Sequence, residues 1–330
     1  MPNVQWRQFG DYSGPMVVGA TAIPVPTSKL SAERFYWLTT KVETNGTFGT
    51  VVMFDGTGLT AGPDQFIIVY PKELANEDFN AEDDQGPLGA LLARVLAVAT
   101  TPAAAAIQAG FRARGWVLSP SGVLRYAADQ TVTVAGKQLQ VKAGATVHGA
   151  LIRNELTPAG GRVPPNGPQW DQAARWATLF SQLFSDPATF TTQRLYGLEH
   201  MEKAFQSRRL NLNGISTVEQ VIGADVTTAT LTPALELAFA VWYSNSVNAP
   251  AIAVTCLQNA WKVASGSREL LPRVLLQMLG TSNFGRWNAN IPGGRWQRTR
   301  DAAIRSGLWP WALFDGPNAI MPVRPAVANV

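Results

Sequence analysis

Helical spacing first sets in at Ser31, where the serine suits an N-cap and Phe35, Leu38 and Val42 fall on one face, so a helix is expected from Ser31 to about Val42. Glu43 follows at the helix end, and Asn45-Gly46 comes next, with Gly46 suited to the left-handed cap. Residues 1–28 show neither period; they are rich in Gly and Pro, hold short apolar runs such as Met16–Val18, and read as irregular. After the helix, Thr47–Phe54 is dense in β-branched and aromatic residues and Phe66–Tyr70 is a short apolar run, so both read as strands. Between them lies the turn-forming stretch DGTGLTAGPD. The acidic stretch NEDFNAEDDQG reads as a solvated loop, since its spacing does not fit a helix–loop–helix calcium site.

Residues 87–114 carry helical spacing broken at Thr101-Pro102 and read as two helices. From Trp116 the pattern changes to period two, with turn signals at Ser119–Gly122, Ala127–Gln130 and Ala135-Gly136. This predicts a small β insert over 116–147. LTPAGGRVPPNGP then reads as a loop or linker. From Trp170 onward helices are expected at 170–185, 187–207, 232–245, 248–264, 267–279 and 295–306. The expected fold class is mainly α (α+β), with one hairpin near the N-terminus and one β insert. The expected organisation is an N-terminal segment 1–28, a helix-and-hairpin part 29–115, the insert 116–147 and a helical remainder 148–330.

Composition narrows the function. Of 330 residues, 46% are apolar and 15% charged, which is globular and not disordered. The formal charge of +4 and pI near 9.3 permit attraction to an acidic polymer, but no Lys/Arg run marks a nucleic-acid surface. Eleven tryptophans suit a core or a groove for sugar rings. The single cysteine, Cys256, allows no internal disulfide and reads as a small buried hydrophobe on a helix. The apolar stretches are broken by prolines or charges, so neither a secretory signal nor a membrane span is expected. No cofactor motif is present: the Walker, dinucleotide-binding and nucleophile-elbow patterns are absent, and no cofactor is expected. The two histidines, His148 and His200, are too few for a histidine-rich metal site, no metal is expected, and both read as structural.

Glu43 and Asp55 remain. Cleaving a glycosidic bond needs a proton donor for the leaving oxygen and a second carboxylate that activates water or stabilises the cationic transition state. A glutamate at a helix end, packed beside Trp37 and Phe48, suits the acid; Asp55, in a wetter glycine-rich turn, suits the ionised partner. Thr60 lies five residues further on, across the hairpin, where a hydroxyl suits holding the attacking water. Ordinary turn chemistry also accounts for Asp55-Gly56.

The stretch Glu43 to Phe66, with Asp55-Gly56-Thr57-Gly58-Leu59-Thr60-Ala61-Gly62 at its turn, resembles the helix–hairpin signature of the lysozyme superfamily, nearest its phage-lysozyme and chitosanase branches. That resemblance implies a lysozyme-like fold, with Glu43 as acid, Asp55 as base or stabiliser and Thr60 as water holder. The gap of 12 residues between Glu43 and Asp55 lies between those of the two branches. The C-terminal run SNFGRWNANIPGGRWQRTRDAAIRSG is similar to the Asn/Arg-rich close of such proteins; Gln65, Trp296 and Arg298 are then the expected substrate-binding residues. The implied function is a peptidoglycan-cleaving muramidase, with a chitosanase-like hydrolase and a non-catalytic wall-binding or structural module as alternatives. The implied partner is an acidic glycan. Synthesis in the cytoplasm is expected, with delivery to the wall by lysis, a phage particle or an injection machine.

Overall fold

Strands begin inside the segment expected to be irregular. β1 (Val4–Phe9) pairs antiparallel with β2 (Tyr12–Val17) from Val4↔Val17 to Phe9↔Tyr12. The reversal is made by Gly10-Asp11, with Gly10 at φ +57°, a two-residue hairpin signal that the prolines and glycines around it obscure. A computed structural model of the chain describes residues 3–27, 31–54, 58–70, 85–134, 136–207, 259–264, 274 and 295–308. They belong to two units: Met1–Ile23 with Thr47–Tyr196, and Pro24–Gly46 with Gly197–Val330. The described residues make a mixed fold of helices and small antiparallel sheets. None of the described helices is long and apolar enough to cross a membrane.

In the first unit, β3 (Thr21–Ala22) pairs with β4 (Thr47–Phe48), and β5 (Val51–Val52), β6 (Thr60–Ala61) and β7 (Phe66–Ile67) follow. A five-stranded sheet runs in the order β1-β2-β5-β6-β7. The single strand expected over Thr47–Phe54 is broken at Gly49. Gly49 sits at φ +81°, and a Cβ there would collide with the Ser185 hydroxyl, while the Ser181 hydroxyl donates to its carbonyl at 2.8 Å. Tight approach to a helix, not local propensity, splits the strand.

Alternation then gives the sheet one inner face. Val17, Val51, Met53, Leu59, Ala61, Phe66 and Ile68 are buried on it. The same core takes Leu88, Leu91, Leu92 and Val95 of α2 (Leu88–Val98), Ile107 and Phe111 of α3 (Pro102–Arg112), and Trp176, Phe180 and Phe184 of α5 (Pro168–Phe184), which follows α4 (Gly149–Leu156). The expected break between α2 and α3 is present, with the Thr101 side chain accepting from the Ala103 N–H and Pro102 opening the helix. A 3-10 turn over Pro187–Thr189 leads into α6 (Phe190–Ser207).

The period-two segment 116–147 forms two hairpins: β8 (Trp116–Leu118) with β9 (Leu124–Tyr126), and β10 (Gln130–Val134) with β11 (Lys137–Val141). It is not a self-contained addition. Trp116, Leu124, Tyr126 and Val147 are buried in the core shared with α3 and α5.

In the second unit, α1 (Ser31–Thr44) and α7 (Arg295–Ser306) pack together. Leu38, Val42, Ala302 and Ala303 are buried, and Arg34 donates to the Leu308 carbonyl at 2.8 Å. Of the helices expected at 232–245, 248–264 and 267–279, the end of the second and residue 274 of the third are described, and 259–263 and 274 are helical. The acidic stretch up to residue 84 and Cys256 lie outside the described residues.

Candidate functional site

Glu43 stands in the last turn of α1 and is half-buried. The helix stops there for a local reason. Asn45 and Gly46 both take left-handed conformations, at φ +58° and +67°, and the Gly46 N–H donates to the Thr40 carbonyl at 2.9 Å. The Lys41 ammonium donates to the Asn45 carbonyl at 3.1 Å and lies 5.5 Å from the centre of the Trp37 ring. Burial, and then the Arg305 guanidinium, lower the pKa of Lys41. Thr39, Thr40 and Thr44 bond back to the carbonyls of Tyr36, Trp37 and Thr40, so this threonine-rich helix buries its hydroxyls satisfied. Trp37, expected beside Glu43, is buried in the same helix; Phe48 belongs to the first unit and stacks on Phe190, centroids 4.1 Å apart.

Asp55 lies outside the described residues, which resume on either side at Phe54 and Gly58. On the β5 side, a Cβ on Gly14 would lie 3.0 Å from the Phe54 Cβ, so β2 backbone presses on Phe54. On the β6 side, the Thr157 hydroxyl donates to the Gly58 carbonyl, and the Arg153 Cα would lie 3.3 Å from a Cβ at Gly58.

Thr60 and Gln65 are brought together. The Thr60 hydroxyl, on a residue only 3% exposed, donates to Gln65 Oε1 at 2.9 Å. Gln65 Nε2 donates to the carbonyls of Gly62 at 3.0 Å and Thr50 at 3.3 Å, and Gln65 itself takes φ +50°. The Thr60 proton and the Gln65 amide group are therefore committed to the hairpin, and Thr60 can hold a water only by accepting from it. Trp296 and Arg298 are both on α7, where Arg298 is exposed.

Two carboxylates that the sequence did not single out are tied into the first unit. Glu155 accepts from Trp176 Nε1 at 2.6 Å and pairs with Arg114 and, at 3.9 Å, with Arg175; the two guanidinium carbons lie 5.7 and 5.4 Å from the Trp176 ring centre. Asp186, 7% exposed, accepts from the N–H groups of Thr100, Thr101 and Ala188. Burial alone would raise its pKa; the hydrogen bonds from Thr100, Ala188 and Thr101 outweigh it and hold the carboxyl below its usual range. Both groups join helices, and neither stands beside a second carboxylate in these contacts. An apolar cleft of about 590 Å³ opens beside Leu96, Phe111, Trp116 and Val117, with Gln108 and Arg112 among its polar residues. Comparison of the chain with protein-family models, curated proteins and solved structures finds no match.

Proposed function

We propose that the chain is a glycoside hydrolase of peptidoglycan, a muramidase with a lysozyme-like catalytic arrangement. One observation carries the reading: Glu43 occupies the last turn of a sharply stopped helix, and the antiparallel strands β5, β6 and β7 follow it in the chain, with Asp55 between β5 and β6 in sequence. A carboxyl at a helix end and a second carboxyl twelve residues later in the chain suit the two tasks of glycosidic cleavage.

In this mechanism Glu43 gives its proton to the leaving glycosidic oxygen. Asp55 accepts a proton from the attacking water or stabilises the cationic sugar. Thr60 accepts a hydrogen bond from that water, its own proton being held by Gln65. Arg298, exposed on α7, suits the acidic stem of the glycan. The basic balance of the chain favours the same polymer over cationic chitosan. An enzyme of this kind reaches the wall by lysis, in a particle or through an injection machine.

The burial of Thr60 and its bond to Gln65 favour a second reading, in which the hairpin is kept for shape and the protein binds walls without cutting them. Zymography on purified peptidoglycan separates the two. Glu43→Gln keeps size and removes the proton donor, so cleavage should fall about 10²–10⁴-fold while the fold persists. Full activity in that variant would remove Glu43 from the mechanism; no cleavage by the unaltered protein, with binding retained, selects the wall-binding module. For Asp55, the anomeric configuration of fresh product decides its role: inversion means it activates water, and retention means it attacks the sugar.

A further inference from the structure

We propose that the cleft between α2, α3 and the β8–β9 hairpin binds a single-chain amphiphile with an anionic head, a medium-chain fatty carboxylate, whose head pairs with Arg112 and whose chain lies on Phe111 and Trp116. The site belongs wholly to the first unit and does not depend on the glycosidase reading.

The cleft encloses about 590 Å³. Small-ligand sites span roughly 300–1,000 Å³. Phe111 and Trp116 are its most deeply buried lining residues, 1% and 5% exposed, with ring centres 6.4 Å apart. Phe111 is backed in turn by Trp176, at 5.4 Å between centroids. Leu96 and Ala97 of α2 and Val117 of β8 add apolar walls, and Val117 is 45% exposed. Covering such surface with an apolar chain is favourable.

The walls are set before any ligand arrives. The Ser119 hydroxyl accepts from the Val123 N–H at 3.0 Å, and the Gly122 N–H donates to the Ser119 carbonyl at 2.9 Å, closing the β8–β9 turn. A Cβ on Gly89 would collide with the Gly122 carbonyl, so this turn is pressed against α2. At the other end of the hairpin the Ala127 N–H donates to the Gly115 carbonyl at 2.7 Å. Binding between fixed walls loses little conformational entropy.

Charge decides the head group. Gln108 and Arg112 are four residues apart on α3, so they share one stripe of the helix, and both are exposed. None of the described residues lining the cleft is acidic. Arg114, two residues further on, is tied to Glu155 and to the Gly110 carbonyl, and Arg94 lies over the Tyr196 ring. The side chains of Arg112 and Gln108, by contrast, make no hydrogen bond or ion pair among the described residues. A guanidinium takes a carboxylate through two parallel hydrogen bonds, and the Gln108 amide adds a further donor. A sugar needs more polar partners than this apolar lining offers. A peptide needs backbone partners, and two of the three walls are helix flanks whose N–H and C=O groups are bonded along the helix.

The test titrates full-length protein by isothermal calorimetry with decanoate and with decyltrimethylammonium, both below their micelle concentrations. Decanoate should saturate a single site, and the cation of equal chain length should bind about tenfold more weakly. Arg112→Gln, at an exposed position, should weaken decanoate about tenfold and bring the two probes to similar affinity. Ala97→Trp fills the cleft from an exposed position on α2 and should abolish binding of both, with an unchanged circular-dichroism spectrum. Lys142→Ala, which removes an exposed cation away from the cleft, should leave the decanoate affinity as it is. The site is overturned if the parent takes up no decanoate, or if Arg112→Gln and Ala97→Trp bind it as the parent does. It is equally overturned if the protein binds only phosphatidylglycerol vesicles, which would make the face a membrane surface. A dimer in sedimentation that Ala97→Trp splits would also overturn it, since a second copy would then cover the cleft.

Discussion

The β5–β6–β7 meander and the β10–β11 hairpin are both antiparallel, yet they are held by different physics. The meander has strands of two residues, too short for a ladder to hold alone. It compensates with burial: Leu59 and Ala61 are fully enclosed, and Thr60 and Gln65 bond to each other and to backbone. The β10–β11 pair has five-residue strands and a full register from Gln130↔Val141 to Val134↔Lys137. Half of its side chains are exposed, and its base is closed by Asp129, which accepts from Lys142 at 2.7 Å and the Ala143 N–H at 2.8 Å. A hairpin that is regular in sequence can stand at the surface; an irregular one needs a core and polar ties around it.

The largest effects should come from removing what the two regions share with the core. Deleting 116–147 takes away Trp116, Leu124, Tyr126 and Val147 together. At about 3–5 kcal/mol for each large aromatic removed, the loss rivals the whole stability of a domain, about 5–15 kcal/mol. No soluble folded protein should be recovered by size exclusion. Replacing residues 131–140 alone with a short turn should leave a folded chain with a native circular-dichroism spectrum. If that small excision also unfolds it, the distinction between the hairpins is wrong.

Next in size is Gly49→Ala, which places a Cβ against Ser185 at a positive φ. It should cost about 2–4 kcal/mol by chemical denaturation. The carboxylates Asp186 and Asp129 carry the comparison into electrostatics. Asp186→Asn should destabilise by about 2–3 kcal/mol at neutral pH, because charge-assisted bonds to buried N–H groups are lost. The folded pKa of Asp186 is depressed, so its stabilisation is complete above the unfolded value near 3.9 and is lost as pH falls through the folded value. Denaturation curves of parent and Asn variant should therefore converge at acid pH; a gap that stays constant down to about pH 2, well below that unfolded value, would argue against it.

Gln65→Ala should cost about 1–2 kcal/mol, since it leaves the Thr60 hydroxyl without its partner inside the meander. The smallest effect belongs to the exposed hairpin. Lys142→Ala removes a solvent-exposed ion pair and should produce no resolvable shift in the thermal midpoint. A shift as large as that of Gln65→Ala would erase the contrast between the two hairpins.

Much of the local structure was legible in the residues. Ser31 and Asn45-Gly46 bracket α1, Thr101-Pro102 divides α2 from α3, and period two over 116–147 predicts a small β segment, which the structure resolves into two hairpins. The expected 295–306 helix is present with those bounds. These features depend on caps, turns and spacing, which act within a few residues. The β1–β2 hairpin was missed because Pro15 and its neighbouring glycines mask a regular alternation whose turn signal is only Gly10-Asp11. The break at Gly49 was equally hidden, since its cause is Ser185, far along the chain.

The residues by themselves therefore determined most of the described helices, and the two hairpins of 116–141 only as a period-two segment. Only the tertiary structure decided that Thr60 and Gln65 answer each other and that Trp116, Leu124 and Tyr126 belong to the core. Local conformation follows from short-range sterics and hydrogen bonding, which adjacent residues encode. Burial and register join residues many positions apart, and no window of sequence contains both partners.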